Sequence, residues 1–298
     1  MLTFHPLTLA DKEKIDRCVA AEDSRSADFN FNTFYIWDDK YRRFVADSDE
    51  YIIMLRSDRS APLFVWPIGG ESAPALRKML DYCAAEGQPL CFFGLEERHA
   101  EALERLCPGQ FSVTEDRDYE DYIYEAEKLS SLAGKHLHGK RNHINRFMQE
   151  HDWRFEVLRR EMFPECLSLL ETWTEHTDTS AGMVGNERNA ILKSFANYET
   201  LGFLGGGLYA EDRMIAFTFG EKICSDTFQV RFEKAHGEIN GAYPMVNREF
   251  VQLVCARYPE VRYINREDDM GLENLRKSKE SYYPAFLLRK FTARQKNV

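Results

Sequence analysis

Several things are missing from this chain. No run approaches the roughly 18 to 20 uninterrupted apolar residues that a helix needs to cross a bilayer, so no transmembrane segment is expected. Cysteine is sparse: seven in 298 residues, an odd number with no Cys-x-x-Cys pair, which argues against a disulfide framework and a thiolate zinc site. No Pro/Gly/Ser linker, low-complexity tract or short-period repeat interrupts the chain. The opening MLTFHPLTLADKEK lacks the basic-then-apolar pattern of a secretion signal, and the chain reads as cytoplasmic. Positive charge is also in deficit, 39 Lys and Arg against 49 Asp and Glu, a net of −10. That balance opposes a protein that coats nucleic acid or membrane over its whole surface.

What is present is enough for a large core. Hydrophobic residues make up 44% of the chain, and a length of 298 at roughly 150 residues per domain points to two domains. The charge deficit is uneven. Residues 1–127 carry 14 basic and 26 acidic side chains, and residues 161–275 carry 10 and 19. Two short basic blocks interrupt them, residues 128–160 with 8 against 3 and residues 276–298 with 7 against 1.

Local patterns alternate helix and strand. Residues 9–19, 73–85 and 96–106 read as helices, and residues 51–55, 63–68, 89–93 and 118–125 as strands. In the second part, apolar residues at spacings of three and four (Phe163, Cys166, Leu167, Leu170, Trp173) mark a helix, and residues 186–198 another. Three strands come next at 205–210, 214–222 and 227–232, the first two joined by a Glu211-Asp212 turn. A helix over 243–257 with the stripe Val246, Phe250, Leu253 and Val254, a strand over 261–265, a helix from near Gly271 and a last strand complete the order. That order resembles an acyltransferase core of the GNAT type.

Three segments could carry chemistry. The loop His236-Gly237-Glu238-Ile239-Asn240-Gly241-Ala242 precedes a helix, where free amides and the helix dipole suit a pyrophosphate and glycines let backbone approach a ligand; an ordinary structural turn has the same spacing. Just before it, Glu233 would act as a general base if burial raised its pKa, the alternative being a salt-bridged or exposed carboxylate. The run from Asn265 to Pro284 ends a strand in dense polar groups (Asn265, Arg266, Glu267, Asp268, Asp269), turns at Gly271, and offers Arg276 and Lys279 on the next helix; a solvated turn with surface ion pairs is the plain alternative. The block Lys135 to Phe147 includes Lys140, Arg141 and Asn142 on a helix whose apolar positions are Leu137, Ile144 and Met148, a concentrated positive surface fit for phosphates. Its His-x-His lacks a convincing third and fourth ligand, so no metal is expected. The aromatic segment Phe29 to Trp37 suits packing better than ligand stacking.

Four motifs together resemble a family of uncharacterised bacterial proteins related to the C-terminal catalytic domain of phosphatidylglycerol lysyltransferases. They are the Phe4 to Leu7 start, the FNFNTFYIW segment, the Lys140-Arg141-Asn142-x-Ile144-x-Arg146-Phe147 core, and the single run from Asn265 through Gly271 and Leu275 to Pro284. The resemblance spans nearly the whole chain. It implies an α+β fold with α/β-like layers: two tandem GNAT-like domains, each a mixed, mostly antiparallel sheet flanked by helices, as in Fem-type transferases. The expected division is residues 1–127, degenerate because no HGEINGA-like turn occurs there, and residues 128–298 with the active site. Carried over, the resemblance places donor phosphates near Lys140, Arg141 and Asn142, and acceptor or acid–base chemistry near Asn265, Glu267, Asp269, Arg276 and Lys279. The expected function is transfer of an acyl group from acyl-CoA or aminoacyl-tRNA to an amine or hydroxyl acceptor of unknown identity, with peripheral membrane contact left open. A non-catalytic binder of a nucleotide or phospholipid headgroup is the alternative.

Overall fold

The computed structural model describes residues 2–47, 51–57, 62–175 and 181–296. Two compact units emerge. The first contains β1 (His5–Pro6), α1 (Lys12–Glu22), α2 (Phe31–Ile36), α3 (Asp38–Tyr41), β2 (Arg43–Asp47), β3 (Ile52–Arg56), β4 (Leu63–Phe64), α4 (Ser72–Ala85), β5 (Cys91–Leu95), α5 (Glu97–Leu106) and β6 (Phe111–Glu115). Next along the chain are β7 (Asp121–Glu125), α6 (Ala126–Ser131), α7 (His138–Glu150), β8 (Trp153–Val157), α8 (Phe163–Glu175), α9 (Ala181–Ala196), β9 (Leu204–Ala210), β10 (Arg213–Lys222), β11 (Thr227–Ala235), α10 (Ala242–Arg257), β12 (Tyr263–Asn265), α11 (Glu273–Glu280), β13 (Phe286–Leu288) and β14 (Phe291–Gln295).

One plan is used twice. The first sheet runs β1-β2-β3-β4-β5-β14-β6 and the second, read from its other edge, β8-β9-β10-β11-β12-β7-β13. In each, four antiparallel strands lead through a crossover helix, α4 or α10, to a strand that pairs parallel with the fourth. This is the mixed, mostly antiparallel, GNAT-like arrangement expected from the sequence. Among the described residues no helix is long and apolar enough to cross a membrane.

A single cut at residue 127/128 does not describe the units. The sixth strand of each sheet comes from elsewhere in the chain: β14 lies between β5 and β6, while β7 pairs antiparallel with β12, Ile264 opposite Tyr124. The first unit therefore comprises residues 1–121, 268–272 and 287–298, and the second residues 122–267 and 273–286. Burial explains why β7 is an inner strand: Tyr122, Ile123 and Tyr124 are all inaccessible, as a strand covered on both faces requires. In the first unit the C-terminal segment is fixed by Lys290, whose buried ammonium is paired with Asp28 and, at 3.2 Å, with Asp121. Burial opposes that charge, but the two carboxylates outweigh it and raise the Lys290 pKa.

Several expected elements shift by a few residues, β1, β2, β6 and β8 lie outside every strand expected from the sequence, and two strands, β13 and β14, stand where one was expected. The expected strand over 63–68 shortens to β4, because Ile68 leaves it to bridge Ile52. Between β4 and α4 the first unit has its own glycine turn, Gly69-Gly70, both with positive φ (79° and 50°). The strand expected over 63–68 and the helix expected over 73–85 flank this turn, which was not itself singled out from the sequence. The aromatic segment packs as expected, with Phe29, Phe31, Phe34 and Ile36 buried.

In the second unit, α10 covers one sheet face with Val246, Phe250 and Val254, each worth about 1.5–3 kcal/mol when fully buried. The other face carries an aromatic cluster of Phe163, Phe195, Tyr198, Phe203, Phe217 and Phe219. Glu211 and Asp212 both adopt positive φ (50° and 64°), the geometry of a tight hairpin turn between β9 and β10. Further along, Phe219 faces Phe232 but Gly220 faces Val230, so Arg231 is an extra residue in β11. A Cβ on Gly220 would lie 1.9 Å from the Gln229 carbonyl oxygen. Gly220→Ala is therefore expected to lower stability by at least about 2 kcal/mol, measured as a drop in denaturation midpoint at constant m-value.

Candidate functional site

Strands β11 and β12 are parallel neighbours for only three residue pairs, ending at Gln229 opposite Asn265. Beyond that point β12 stops and β11 continues six residues to Ala235. Ligand crevices form where parallel strands part at their carboxyl ends. The Arg231 bulge sets the facing of the residues on either side of it: Thr218, opposite Glu233, shares the α10 face with it, while Glu221 and Gln229 face away.

On the α10 face, Arg266 Nη2 donates to Glu233 Oε1 at 2.8 Å and Asn247 Nδ2, from α10, donates to Glu233 Oε2 at 3.0 Å. The carboxylate is 8% exposed and the guanidinium side chain 13%, and a buried carboxylate keeps its charge only when so paired. Tyr282 lies with its ring 5.0 Å from the Arg266 guanidinium and 4.1 Å from Lys140 Nζ, the latter reaching in from α7. Burial lowers the Lys140 pKa, Arg266 lowers it further, and Glu233 partly restores it. Burial likewise raises the pKa of Tyr282, against the pull of Arg266. Beneath them, Lys279 Nζ donates to the Arg266 carbonyl at 2.6 Å, and Tyr124 Oη donates to the Lys279 carbonyl at 2.8 Å. Arg266 Nη1 and the Asn247 and Thr218 side-chain oxygens are buried without a hydrogen-bond partner among the described residues.

The opposite face has a second polar cluster. Arg231 donates to Glu221 Oε1 through Nε (2.9 Å) and Nη2 (2.6 Å), and to Glu267 Oε1 through Nη1 (3.1 Å). Gln229 Nε2 also donates to Glu267 Oε1 (2.6 Å). Burial disfavours the Arg231 charge, yet Glu221 and Glu267 outweigh it and raise the pKa. Glu267 itself has φ 58°, a left-handed conformation held by its N–H donating to Asn265 Oδ1 at 2.6 Å.

The family profile described as Phosphatidylglycerol lysyltransferase, C-terminal, matches residues 20–294. The chain belongs to that family. A crystal structure of a conserved protein of unknown function from Bacteroides thetaiotaomicron superposes with TM-score 0.92 at 36% identity, over 99% of this chain and 100% of that one. L-PGS from Bacillus licheniformis gives 0.67 at 14% identity, covering 97% and 93%. FemX gives 0.66 at 10%, covering 99% and 98%; these two likenesses are of fold alone. Uncharacterized protein MYCGA3080 of Mycoplasmoides gallisepticum is 24% identical over 174 residues, 57% of this chain and 54% of that protein, so the match spans about half the length of that curated relative. This lysyltransferase-type family and its fold make the chain an acyl- or aminoacyl-transferase-like protein.

The sequence-selected residues of this lysyltransferase-family chain are divided by the fold. Glu233, Lys140 and Lys279 meet around Arg266, whereas Glu267 and Asn265 meet around Arg231. Asp269 belongs to the first unit, where its carboxylate accepts from Arg117 at 3.3 Å and from the Gly271 N–H at 2.9 Å. Arg276 is half-buried on α11. Arg141 donates to the Leu132 carbonyl and, at 2.8 Å, to that of Gly134, and it lines an open cleft of about 460 Å³ with Gly134, Lys135 and His138. Asn142 is exposed, its amide 3.1 Å from His138 Nε2.

In the glycine loop, the packing matches the structural-turn alternative at Gly241. Gly241 caps α10 with φ 91°, and a Cβ there would lie 2.6 Å from the His143 carbonyl of α7. Close packing on α7 therefore accounts for this glycine. The first amide of α10, on Ala242, is already donated to the Ile239 carbonyl, and Gly237 faces open space. Among the described residues, no group of three or more His, Cys, Asp or Glu side chains could hold a metal ion.

Arg231, Gln229, Glu221, Asn247, Tyr124 and Tyr282 were not chosen as site residues from the sequence, although Tyr282 lies within the Leu275 to Pro284 motif. For two of them a signal was there: Gln229 and Arg231 alternate with Phe228, Val230 and Phe232 in a strand read as buried. Gly237→Ala should change stability by no more than about 0.5 kcal/mol, while Gly241→Ala should lower it clearly, both read by chemical denaturation. An NMR titration of Lys140 should give a midpoint below the ordinary lysine range, and Glu233→Gln should move it lower still. Because the unfolded chain keeps that proton to higher pH, this group's contribution to stability should rise with pH between the folded and ordinary lysine values.

Proposed function

We propose that the second unit transfers an acyl or aminoacyl group from a phosphate-bearing donor to an amine or hydroxyl acceptor, with Arg266, Glu233, Lys140 and Tyr282 as the reacting centre. The observation that carries this reading is Arg266 Nη1, a buried cationic donor without a hydrogen-bond partner among the described residues, beside a paired carboxylate and two groups whose pKa values burial has shifted. Buried polar atoms are almost always satisfied, and exceptions collect where a ligand or reacting atom completes the set.

In this account, Arg266 and Lys140 face the carbonyl oxygen of the transferred group and stabilise the negative charge that develops as the acceptor attacks. Glu233 spends one lone pair of each oxygen on Arg266 and Asn247 and has capacity for a further hydrogen bond. It orients the acceptor N–H or O–H and receives its proton as the new bond forms. Tyr282, kept protonated by burial, gives a proton to the departing oxygen or sulfur of the donor. The cleft of Lys135, His138 and Arg141 takes the donor's phosphates, the role expected for the Lys140 to Asn142 block. Asn265 and Glu267 support the parted strand ends from the other face. The first unit contributes no reacting group.

Acetyl-CoA and lysyl-tRNA are the two donor arms of the test, each offered with primary amines and with phosphatidylglycerol vesicles, the acceptor the family name describes. One donor should be consumed, and Lys140→Met and Tyr282→Phe should each slow consumption by about 10²-fold at a retained melting temperature. Tight binding of a donor with no turnover would instead favour a binding module, and full activity in both variants would remove the proposed centre.

A further inference from the structure

The chain neighbours Tyr282 and Tyr283 have opposite surroundings. Tyr282 is 5% exposed, its ring against Arg266 and Lys140, whereas Tyr283 is 53% exposed. Helix α11 terminates at this point: the Tyr283 N–H donates to the Glu280 carbonyl at 2.9 Å, Tyr283 adopts φ 55°, and Pro284 follows. A left-handed residue just past a helix is ordinarily glycine, and a bulky aromatic side chain there is an outlier. Tyr283 thus stands where helix termination favours glycine, and its ring fills no core.

The Tyr283 ring lies 4.9 Å from that of His136, the two planes tilted by 43°. His136 is itself exposed, in the turn that leads into α7, between Lys135 and His138 along the chain. Those two residues, with Gly134 and Arg141, line the open cleft of about 460 Å³. Arg141 is fixed at the cleft by the carbonyls of Leu132 and Gly134. The exposed ring pair therefore borders the cleft on one side. On the other, the next residue after each of its segments turns inward, Tyr282 from the end of α11 and Lys140 from α7, and these two meet at 4.1 Å.

We infer that the His136 and Tyr283 rings are a stacking surface for a nucleobase of the donor, beside the cleft that takes its phosphates; the inference rests on that reading of the cleft. Sites for unpaired nucleotides combine a basic groove with aromatic side chains, since every base has a π face to lay on a ring while cations meet the phosphates. Two rings open to solvent beside Lys135 and Arg141 have that composition. A phospholipid headgroup has no flat face to lay against them. Both donor classes carry the required chemistry, CoA as an adenine nucleotide and charged tRNA as an unpaired 3′ end.

The test titrates the full chain with pyrophosphate, with adenosine 3′,5′-bisphosphate and with a 5′-phosphorylated CCA trinucleotide, reading affinity by calorimetry and the His136 ring protons by NMR. At least one nucleotide should bind more tightly than pyrophosphate and shift the His136 resonances upfield, as a stacked base does and pyrophosphate does not. Tyr283→Gly should weaken nucleotide binding by about tenfold, leave pyrophosphate binding unchanged and keep the melting temperature, because glycine accepts φ 55° without strain. Tyr283→Phe should keep the nucleotide affinity. Tighter binding of the bisphosphate assigns the base to a CoA-type donor, and tighter binding of the trinucleotide to tRNA. Should Tyr283→Gly fail to fold, His136→Ala carries the comparison. Nucleotide affinity that only equals that of pyrophosphate, or that survives both Tyr283→Gly and His136→Ala, overturns the stacking surface and leaves the phosphate cleft standing; no binding of any probe overturns both.

Discussion

A carboxylate taken out of water must be paired, and Glu233 meets that demand with Arg266 and Asn247. The pair fixes much of the second unit's architecture at the point where β11 and β12 part. Glu233 stands on the length of β11 that has lost its parallel neighbour, and Arg266 is the first residue after β12. Lys279 ties α11 to the Arg266 carbonyl, Tyr124 ties β7 to α11, and Asn247 ties α10 to the carboxylate. Removing one charge would leave the other buried and uncompensated, a loss of about 3–5 kcal/mol. The two tyrosines and Lys140 acquire their shifted acidities from the same enclosure.

The fold was legible wherever one element carried its own period. The α10 stripe, the hairpin turn at Glu211-Asp212 and the helix–helix–three-strand order are local facts, and the structure has them. The strand exchange was not legible, because nothing in the sequence of β7 or β14 says which sheet it joins; only tertiary pairing decides that. Site residues divide in the same way. Glu233 and Lys140 stood out by type and position, but the fact that one bulge at Arg231 turns Glu233 toward α10 and leaves Gln229 on the other face is a property of register. Gly241 attracted notice as a ligand-loop glycine, and its need is a helix packed 2.6 Å from where its Cβ would be.

The basic blocks also changed meaning. Most of their cations are matched to local carboxylates: Arg146 to Glu150, Arg154 to Glu156 and Asp212, Arg160 to Glu199, Arg289 to Glu115 and Glu97, Lys290 to Asp28 and Asp121. The exposed pairs among them contribute little stability each, but they remove positive charge from the open surface. What is left in the first block is concentrated at Lys140, beside Arg266, and at the cleft of Lys135, His138 and Arg141. The acidic body with a local positive site is thereby narrowed to one helix, α7, and the strand ends it faces.

The central claim, that Glu233 and Lys140 act as one unit around Arg266, is tested most directly by a double-mutant cycle on single-turnover transfer. The rates of wild type, Glu233→Gln, Lys140→Met and the double variant should be strongly non-additive, the double variant being about as slow as the slower single one. Independent effects that multiply in the double variant, or unchanged rates in all three, would contradict it.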